Sequence, residues 1–238
     1  MIKKLKKIIE TQSFNPNILG TLINPFYIAR KGLAKHIREL SPEISGKILD
    51  VGCGTKPYKN FFKFSEYIGL EYDTGIDLYK KSADYFYDGK KFPFNAETFD
   101  SIICNQVLEH VFEPEDFLKE IFRVLKPHGK LLITVPFVWD EHEQPFDYAR
   151  YSSFGLKYLL EKCGFRIIKH KKSINNISVI FQLLSDYFYK ISNKQKLFKW
   201  VTIVFIIFPL NLIGIILGII LPNNNDLFLD NIILAEKL

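Results

Sequence analysis

Cysteine, methionine and tryptophan are scarce in this chain, with three, one and two copies in 238 residues. Cys53, Cys104 and Cys163 stand far apart, with no CxxC pair and no metal-ligand grouping. That excludes a zinc ribbon and a disulfide framework, and suits a reducing compartment. The opening MIKKLKKIIE lacks the apolar core, roughly 7–15 residues long, of a secretory signal. With Ile2, Leu5, Ile8 and Ile9 among four lysines, it is expected to form a short amphipathic helix. There is no internal repeat and no low-complexity linker. A third glycine is missing as well. Gly52 and Gly54 begin a Gly-x-Gly turn, but Pro57 occupies the position where a dinucleotide fingerprint needs glycine or alanine. An NAD-dependent oxidoreductase is therefore disfavoured.

The net charge of +6 is unevenly placed. Residues 1–47 carry nine Lys or Arg against three acids, and residues 157–199 carry ten against two. Between them, residues 48–156 hold twelve basic side chains against eighteen acidic ones. A nucleic-acid binder would more often place basic residues around its active face, so no nucleic-acid partner is expected. Basic segments beside apolar sequence favour an anionic membrane surface instead.

Asn24-Pro25 is a cap and first-turn pair for a helix to about Leu40, stopped by Ser41-Pro42. An alternation of buried strands and helices follows. KILDV (47–51), YIGLEYD (67–73), YFYD (85–88), FDSIICN (99–105), KLLITVPF (130–137), FRIIKHKK (165–172) and NIILAEK (231–237) are strand candidates. PYKNFFKF (57–64), Glu113 to Leu125, and a segment from the cap Ser152 through Cys163 are read as helices, the last stopped by Gly164. Strands separated by helices predict a mainly parallel α/β sheet, with ligands beyond the carboxyl ends of its strands.

The chemistry concentrates at those ends. Leu49-Asp50-Val51-Gly52-Cys53-Gly54-Thr55 is a strand-to-helix turn whose glycines let the backbone approach a ligand. Seventeen residues beyond Gly54, strand two ends in Glu71, placed to accept ribose hydroxyls; Asp73 is an alternative for that role. Asp88 follows strand three, where a carboxylate can receive an adenine amino group. The pieces ILDVGCGT, YIGLEYD, DGKKFPFNAETFDSIICNQVLEHV and FLKEIFRVLKPHGKLLITVP resemble class I S-adenosylmethionine-dependent methyltransferases. The resemblance covers roughly residues 47–137. It implies a Rossmann-like, doubly wound sheet of seven strands with an antiparallel last strand. It also implies S-adenosylmethionine as cofactor, with Asp50, Gly52, Cys53 and Gly54 around the methionine end. Glu71 is then expected at the ribose, Asp88 and Gly89 at the adenine, and Asn105 facing the transfer site.

His110, in Glu109-His110-Val111, is expected to orient its loop rather than to act as a base. After strand five comes WDEHEQPFDYARY (139–151). Its His-Glu-x-Pro-x-Asp-Tyr-x-Arg-Tyr pattern resembles methyltransferases of surface-glycan and lipid-linked pathways. His142 is the candidate base. Arg150 is expected either to hold a substrate phosphate or carboxylate or to pair with Asp147, and Tyr151 completes the candidate set. No metal is expected, because the adjacent side chains of Glu141-His142-Glu143 do not converge on one ion.

One long apolar run remains, Trp200 to Leu221, WVTIVFIIFPLNLIGIILGIIL. It falls between strands six and seven, so a return to the same sheet forbids an odd number of membrane crossings. Pro209-Leu210-Asn211 is expected to break it into two pieces too short to span, giving a hairpin dipping into one leaflet; a single tilted span and a buried interface are the alternatives. The expected organisation is a basic and helical segment (1–46), a methyltransferase domain (47–172 plus 227–238) and a membrane-associating insertion (173–226). The expected function is methyl transfer to an amphiphilic acceptor, a hydroxyl of a lipid-linked glycan, on the cytoplasmic membrane face. Methylation of a prenylated quinone and non-catalytic cofactor binding are the alternatives. No feature sets an oligomeric state.

Overall fold

Ile48, Leu49 and Val51 are wholly buried, as strands covered on both faces must be. They belong to β1 (Lys47–Val51), which pairs in parallel with β2 (Glu66–Tyr72) on one side and β4 (Phe99–Asn105) on the other. The computed structural model describes residues 11–73 and 82–238. The amphipathic helix expected over residues 2–9 lies outside the described residues. With β3 (Tyr85–Tyr87), β5 (Leu125–Pro136), β6 (Phe165–Ser173) and β7 (Asp230–Lys237), the sheet has seven strands in the order β3-β2-β1-β4-β5-β7-β6. β7 runs antiparallel to β5, from Lys130 opposite Glu236 to Pro136 opposite Asp230. His170 of β6 meets Asn231 of β7 at 2.9 Å. The order reverses between β1 and β4, whose carboxyl ends are Val51 and Asn105. A ligand crevice belongs there.

Two units divide the chain: residues up to Lys35 with Lys172–Leu229, and His36–Lys171 with Asp230–Leu238. The second unit holds the sheet. Its helix α3 (Pro114–Val124) starts on a proline, keeps Glu115 and Asp116 in its first turn and buries Phe117, Leu118, Ile121 and Val124. Lys237 of β7 donates to the carbonyls of Phe122 and Leu125 at 2.9 and 2.8 Å, satisfying that helix's end. In α4 (Ser153–Lys162) the Ser152 hydroxyl accepts from Gly155 N–H. Gly164 then leaves the helix at φ +93°. Two expectations need correction. PYKNFFKF forms only a 3₁₀ turn at Lys59–Phe61, and β5 begins at Leu125, so Pro127-His128-Gly129 lies within the strand.

The first unit contains α1 (Gly20–Ile23) and the start of α2 (Tyr27–Leu40), which Asn24 prepares by accepting from Phe26 N–H at 2.8 Å. It also contains α5 (Ser178–Ser192) and the long helix α6 (Lys196–Ile220). Here the expected break at Pro209 is overturned. A π turn at Ile203–Ile207 leads directly into Pro209, and the helix continues unbroken to Ile220. Widening the turn relieves the clash that a proline ring makes with the carbonyl four residues back. At 25 residues the helix is about 37 Å long, enough to cross a hydrocarbon core. The hairpin that does form joins α5 to α6. Ser178 Oγ donates to Gly214 O at 2.7 Å and Asn176 Nδ2 to Gly218 O at 3.1 Å, so the two helices run antiparallel.

Candidate active site

Asp50 lies at the end of β1, 6% exposed, and accepts from Tyr67 Oη at 2.6 Å. Burial pushes its carboxyl up to about 7 against the pull of that hydrogen bond, and Glu71 adds repulsion. Beyond it the chain turns through Gly52, at φ +66°, and Gly54, at φ +49°. A Cβ on Gly52 would lie 2.3 Å from Val107 Cγ2, so both conformation and space demand glycine. Gly54 N–H donates to Glu71 Oε2 at 2.9 Å. Glu71 therefore reaches the glycine turn, while Asp73 is exposed and holds Tyr87 O through its own N–H at 3.0 Å. Burial raises the Glu71 carboxyl, and burial takes the Cys53 thiol up to about 12, which makes it unreactive.

Asp88 accepts from Lys90 N–H at 3.0 Å and so caps its own turn, with Gly89 at φ +85° beside the Tyr72 ring. At the end of β4 the Asn105 amide oxygen accepts from Thr134 Oγ1 at 2.7 Å. The next residue, Gln106, takes φ +55° and bonds back to Thr134 O. These groups form a rim at the switch point, with a glycine turn and carboxylates at successive strand ends. That arrangement fits a nucleoside carrying a charged tail, and so fits S-adenosylmethionine.

The loop after β5 folds over Glu109. Tyr148 and Ala149 N–H both donate to Glu109 O, at 2.8 and 3.2 Å, and His110 Nδ1 bonds Phe146 O at 2.8 Å. His110 thus orients the loop. Arg150 holds the loop together: it grips Asp147 with two nitrogens at 2.6 and 2.7 Å and donates to Asp140 O, Ala149 O and Trp139 O. Of the two roles expected for Arg150, pairing with Asp147 is the one seen. Burial would raise the Asp147 carboxyl, but Arg150 and the His142 N–H together hold it down at about 2. Tyr151 is half-buried against the core, its carbonyl taken by Asn231 Nδ2 at 2.8 Å.

His142 is placed between these groups. Its Nδ1 is 3.2 Å from Asp140 O and 3.3 Å from Asp147 Oδ2. A proton on Nδ1 serves both acceptors and leaves Nε2 basic, while Arg150 Nη2 faces the same Nδ1 as a donor at 3.4 Å. Burial lowers the His142 pKa, and the neighbouring His110 lowers it further. A cleft of about 340 Å³ opens beside Glu141, Gln144, Pro145 and Asp147.

One group was missed by reading along the chain. Glu109 is completely buried and neither carboxylate oxygen has a hydrogen-bond partner. Burial pushes its carboxyl up to about 8. It contributes to a trio, with His110 and His142, whose ligand atoms lie within 4.8 Å of one another. The only signal in the sequence was the adjacency of Glu109 and His110, and nothing there showed that the loop would enclose them.

Residues 49–133 match the family described as methyltransferase domain. That stretch is similar to a methyltransferase domain, and the sheet that contains it has the class I methyltransferase fold. Its structure superposes on an S-adenosylmethionine-dependent methyltransferase from Mesorhizobium loti with a TM-score of 0.55 and 12% identity, covering 88% of this chain and 100% of that one. The [4+2]-cyclase SpnF gives 0.56 and 18%, covering 88% and 82%. Phosphoethanolamine N-methyltransferase 2 of Haemonchus contortus, in complex with S-adenosyl-L-methionine, gives 0.53 and 19%, covering 91% and 55%. These likenesses establish the fold. In sequence, the mitochondrial ubiquinone biosynthesis O-methyltransferase of Bos taurus is 36% identical over 37% of this chain and 28% of its own length. The tRNA U34 carboxymethyltransferase of Hahella chejuensis is 30% identical over 55% and 48%. The chain thus matches less than half the length of either.

Proposed function

We propose that the protein transfers a methyl group from S-adenosylmethionine to a hydroxyl of an amphiphilic acceptor at a membrane surface, a lipid-linked glycan being the reading preferred. The observation that carries the hydroxyl is His142, half-buried and oriented through Nδ1 against Asp140 O and Asp147, which turns Nε2 to the acceptor's proton. When bound, the cofactor supplies an activated methyl group, so the protein's work is to position the acceptor and manage its proton. Asp50, the turn at Gly52 and Gly54, Glu71, Asp88 and Asn105 would hold the cofactor. His142 Nε2 accepts the proton as the acceptor oxygen forms its bond to carbon. Asp147 stabilises the resulting imidazolium, and Arg150 fixes Asp147. The O-methyltransferase named among the relatives supports an oxygen acceptor. The exposed apolar surface of α5 and α6 supports an amphiphilic one, and with it a peripheral place on the cytoplasmic membrane face.

Two measurements test this. Mass spectrometry of lipids from cells with and without the gene should show one species heavier by a single CH₂ only when the gene is present. His142→Ala should lower turnover by about 10²–10⁴-fold while calorimetric affinity for S-adenosylmethionine is nearly unchanged. Full turnover in that variant moves the base elsewhere. Chelation should leave activity intact; loss on chelation and return with a divalent cation would instead make Glu109, His110 and His142 a metal centre.

A further inference from the structure

In the hairpin of α5 and α6 the usual polarity is inverted. α5 buries Ser178, Gln182, Ser185, Asp186 and Ser192, with Val179 the one aliphatic side chain among them, and turns Ile180, Leu184, Tyr187 and Ile191 outward. The outward set follows the spacing of one helical stripe. α6 follows in part: Thr202, Asn211 and Gly214 are buried together with Ile203 and Ile207, while Phe205, Leu212, Ile216 and Ile219 are exposed, Ile219 by 80%. Along the seam, small and polar groups close on one another. Ser178 Oγ reaches Gly214 O, and Ser185 Oγ lies 3.4 Å from Asn211 Oδ1. A Cβ on Gly214 would come within 2.6 Å of Phe181 Cβ. Small residues and hydrogen-bonding groups at a helix contact, with branched aliphatic side chains outside, are how helices associate in lipid.

The remaining question is how such a pair would sit. Both ends of the apolar zone are polar. Lys190, Lys194, Lys196 and Lys199 surround the turn, with Trp200 and Tyr187 beside them, and Pro222-Asn223-Asn224-Asn225 follows the other end. The middle of the hairpin is covered on one side by the segment Thr11–Lys35. Gln182 bonds Pro25 O and Ala29 N–H, both at 3.0 Å, and Asn211 Nδ2 approaches Asn24 O at 3.4 Å. That covering segment exposes Asn17, Lys31 and Lys35, and near its start also Ile18, Leu19 and Leu22. A hairpin standing across a bilayer would carry this partly irregular segment, with its exposed asparagine and lysines, to the depth where unpaired backbone and charge are least tolerated.

We infer that α5 and α6 lie in the plane of one leaflet of an anionic bilayer. Their outward aliphatic face is immersed, the segment Thr11–Lys35 faces water, and the lysines of the turn rest among acidic headgroups. This deepens the membrane-surface reading proposed above and rests on it, but its test is independent of catalysis. The full-length protein is mixed with preformed vesicles of phosphatidylcholine alone, or of phosphatidylcholine and phosphatidylglycerol in equal parts. It should float with both, more strongly with the second, and remain bound through a high-salt wash. The paired variant Ile216→Asp, Ile219→Asp alters two exposed positions and should weaken vesicle binding by about 10²-fold or more. Lys194→Glu with Lys196→Glu should abolish the preference for phosphatidylglycerol and keep the binding to phosphatidylcholine. Both variants should bind S-adenosylmethionine like the parent, which separates a failure here from a failure of the methyltransferase reading. A cysteine at Asn193 should react with an impermeant thiol reagent outside the vesicles; protection of that cysteine would show a crossing and overturn the in-plane arrangement. Absence of vesicle binding, with sedimentation as a dimer that the paired Asp variant dissociates, would assign the face to a second copy of the chain and overturn the inference altogether.

Discussion

Asp50 and Glu109 are carboxyl groups held in the protonated range by burial, at about 7 and about 8. Unfolded, each would titrate near 4. Between those values the folded state holds protons that the unfolded state has released, so stability falls as pH rises through that window and levels off above it. Glu109 gives the cleaner test because its oxygens have no partner to lose. Thermal melts should show the parent losing on the order of a few kcal/mol from mildly acidic pH to above 8, and Glu109→Gln losing markedly less. An unchanged pH slope in the variant would place the titration elsewhere. For His142 the direction is opposite: burial lowers its pKa, so the acid limb of kcat/KM should lie below the ordinary histidine value of about 6.5. Gly52→Val should abolish S-adenosylmethionine binding, since its Cβ has no room beside Val107. Asp88→Ala should weaken binding by about 1–3 kcal/mol. Positions set by local chemistry, such as the Gly-x-Gly turn, could be read from adjacent residues. The contact of Tyr67 with Asp50 could not, because it depends on which residues of β1 and β2 stand side by side.

At the scale of elements, continuous apolar strands and capped helices were legible because their causes are local. KILDV, FDSIICN and NIILAEK have the composition of strands buried on both faces, and Ser152 with Gly164 brackets α4 as caps do. The long helix was not legible at Pro209. A proline inside an apolar run reads as a break, and the π turn that absorbs it has no signature of its own in the sequence. The partner of α6 was hidden too, since the polar face of α5 looks like a solvent face until its neighbours are known. The seam predicts its own sensitivity. Gly214→Leu should force α5 and α6 apart, at a cost of about 1–3 kcal/mol or more in chemical denaturation. Leu212→Ala, on the exposed face, should cost little in water. Equal losses at the two positions would mean that the seam does not hold the pair.

At the scale of the whole molecule, the order β3-β2-β1-β4-β5-β7-β6 assigns the chemistry to strand ends and leaves the reaction open, since a cyclase shares the fold. Replacing the insertion should therefore preserve cofactor binding. A chain carrying His36–Lys171 joined to Asp230–Leu238 through a short Gly/Ser linker should remain soluble and bind S-adenosylmethionine in calorimetry. Shortening the connection by about tenfold would lower the entropy of closing it by about 2 kcal/mol. Aggregation of that chain under all conditions would show that the sheet depends on the removed unit.

The insertion leaves and re-enters the fold at one place: Asn224 N–H donates to Asn175 O at 2.7 Å, and the Asn175 amide meets Asn225 Oδ1 at 2.6 Å. A segment whose two ends already touch can be exchanged as a cassette. Spliced between the sixth and seventh strands of a soluble relative, residues 175–225 would arrive with their own closure, and the host's strand order would not need to change. In inheritance, too, such a segment can be gained or lost in one step, so a fold of this kind can acquire an apolar surface without any change in its sheet.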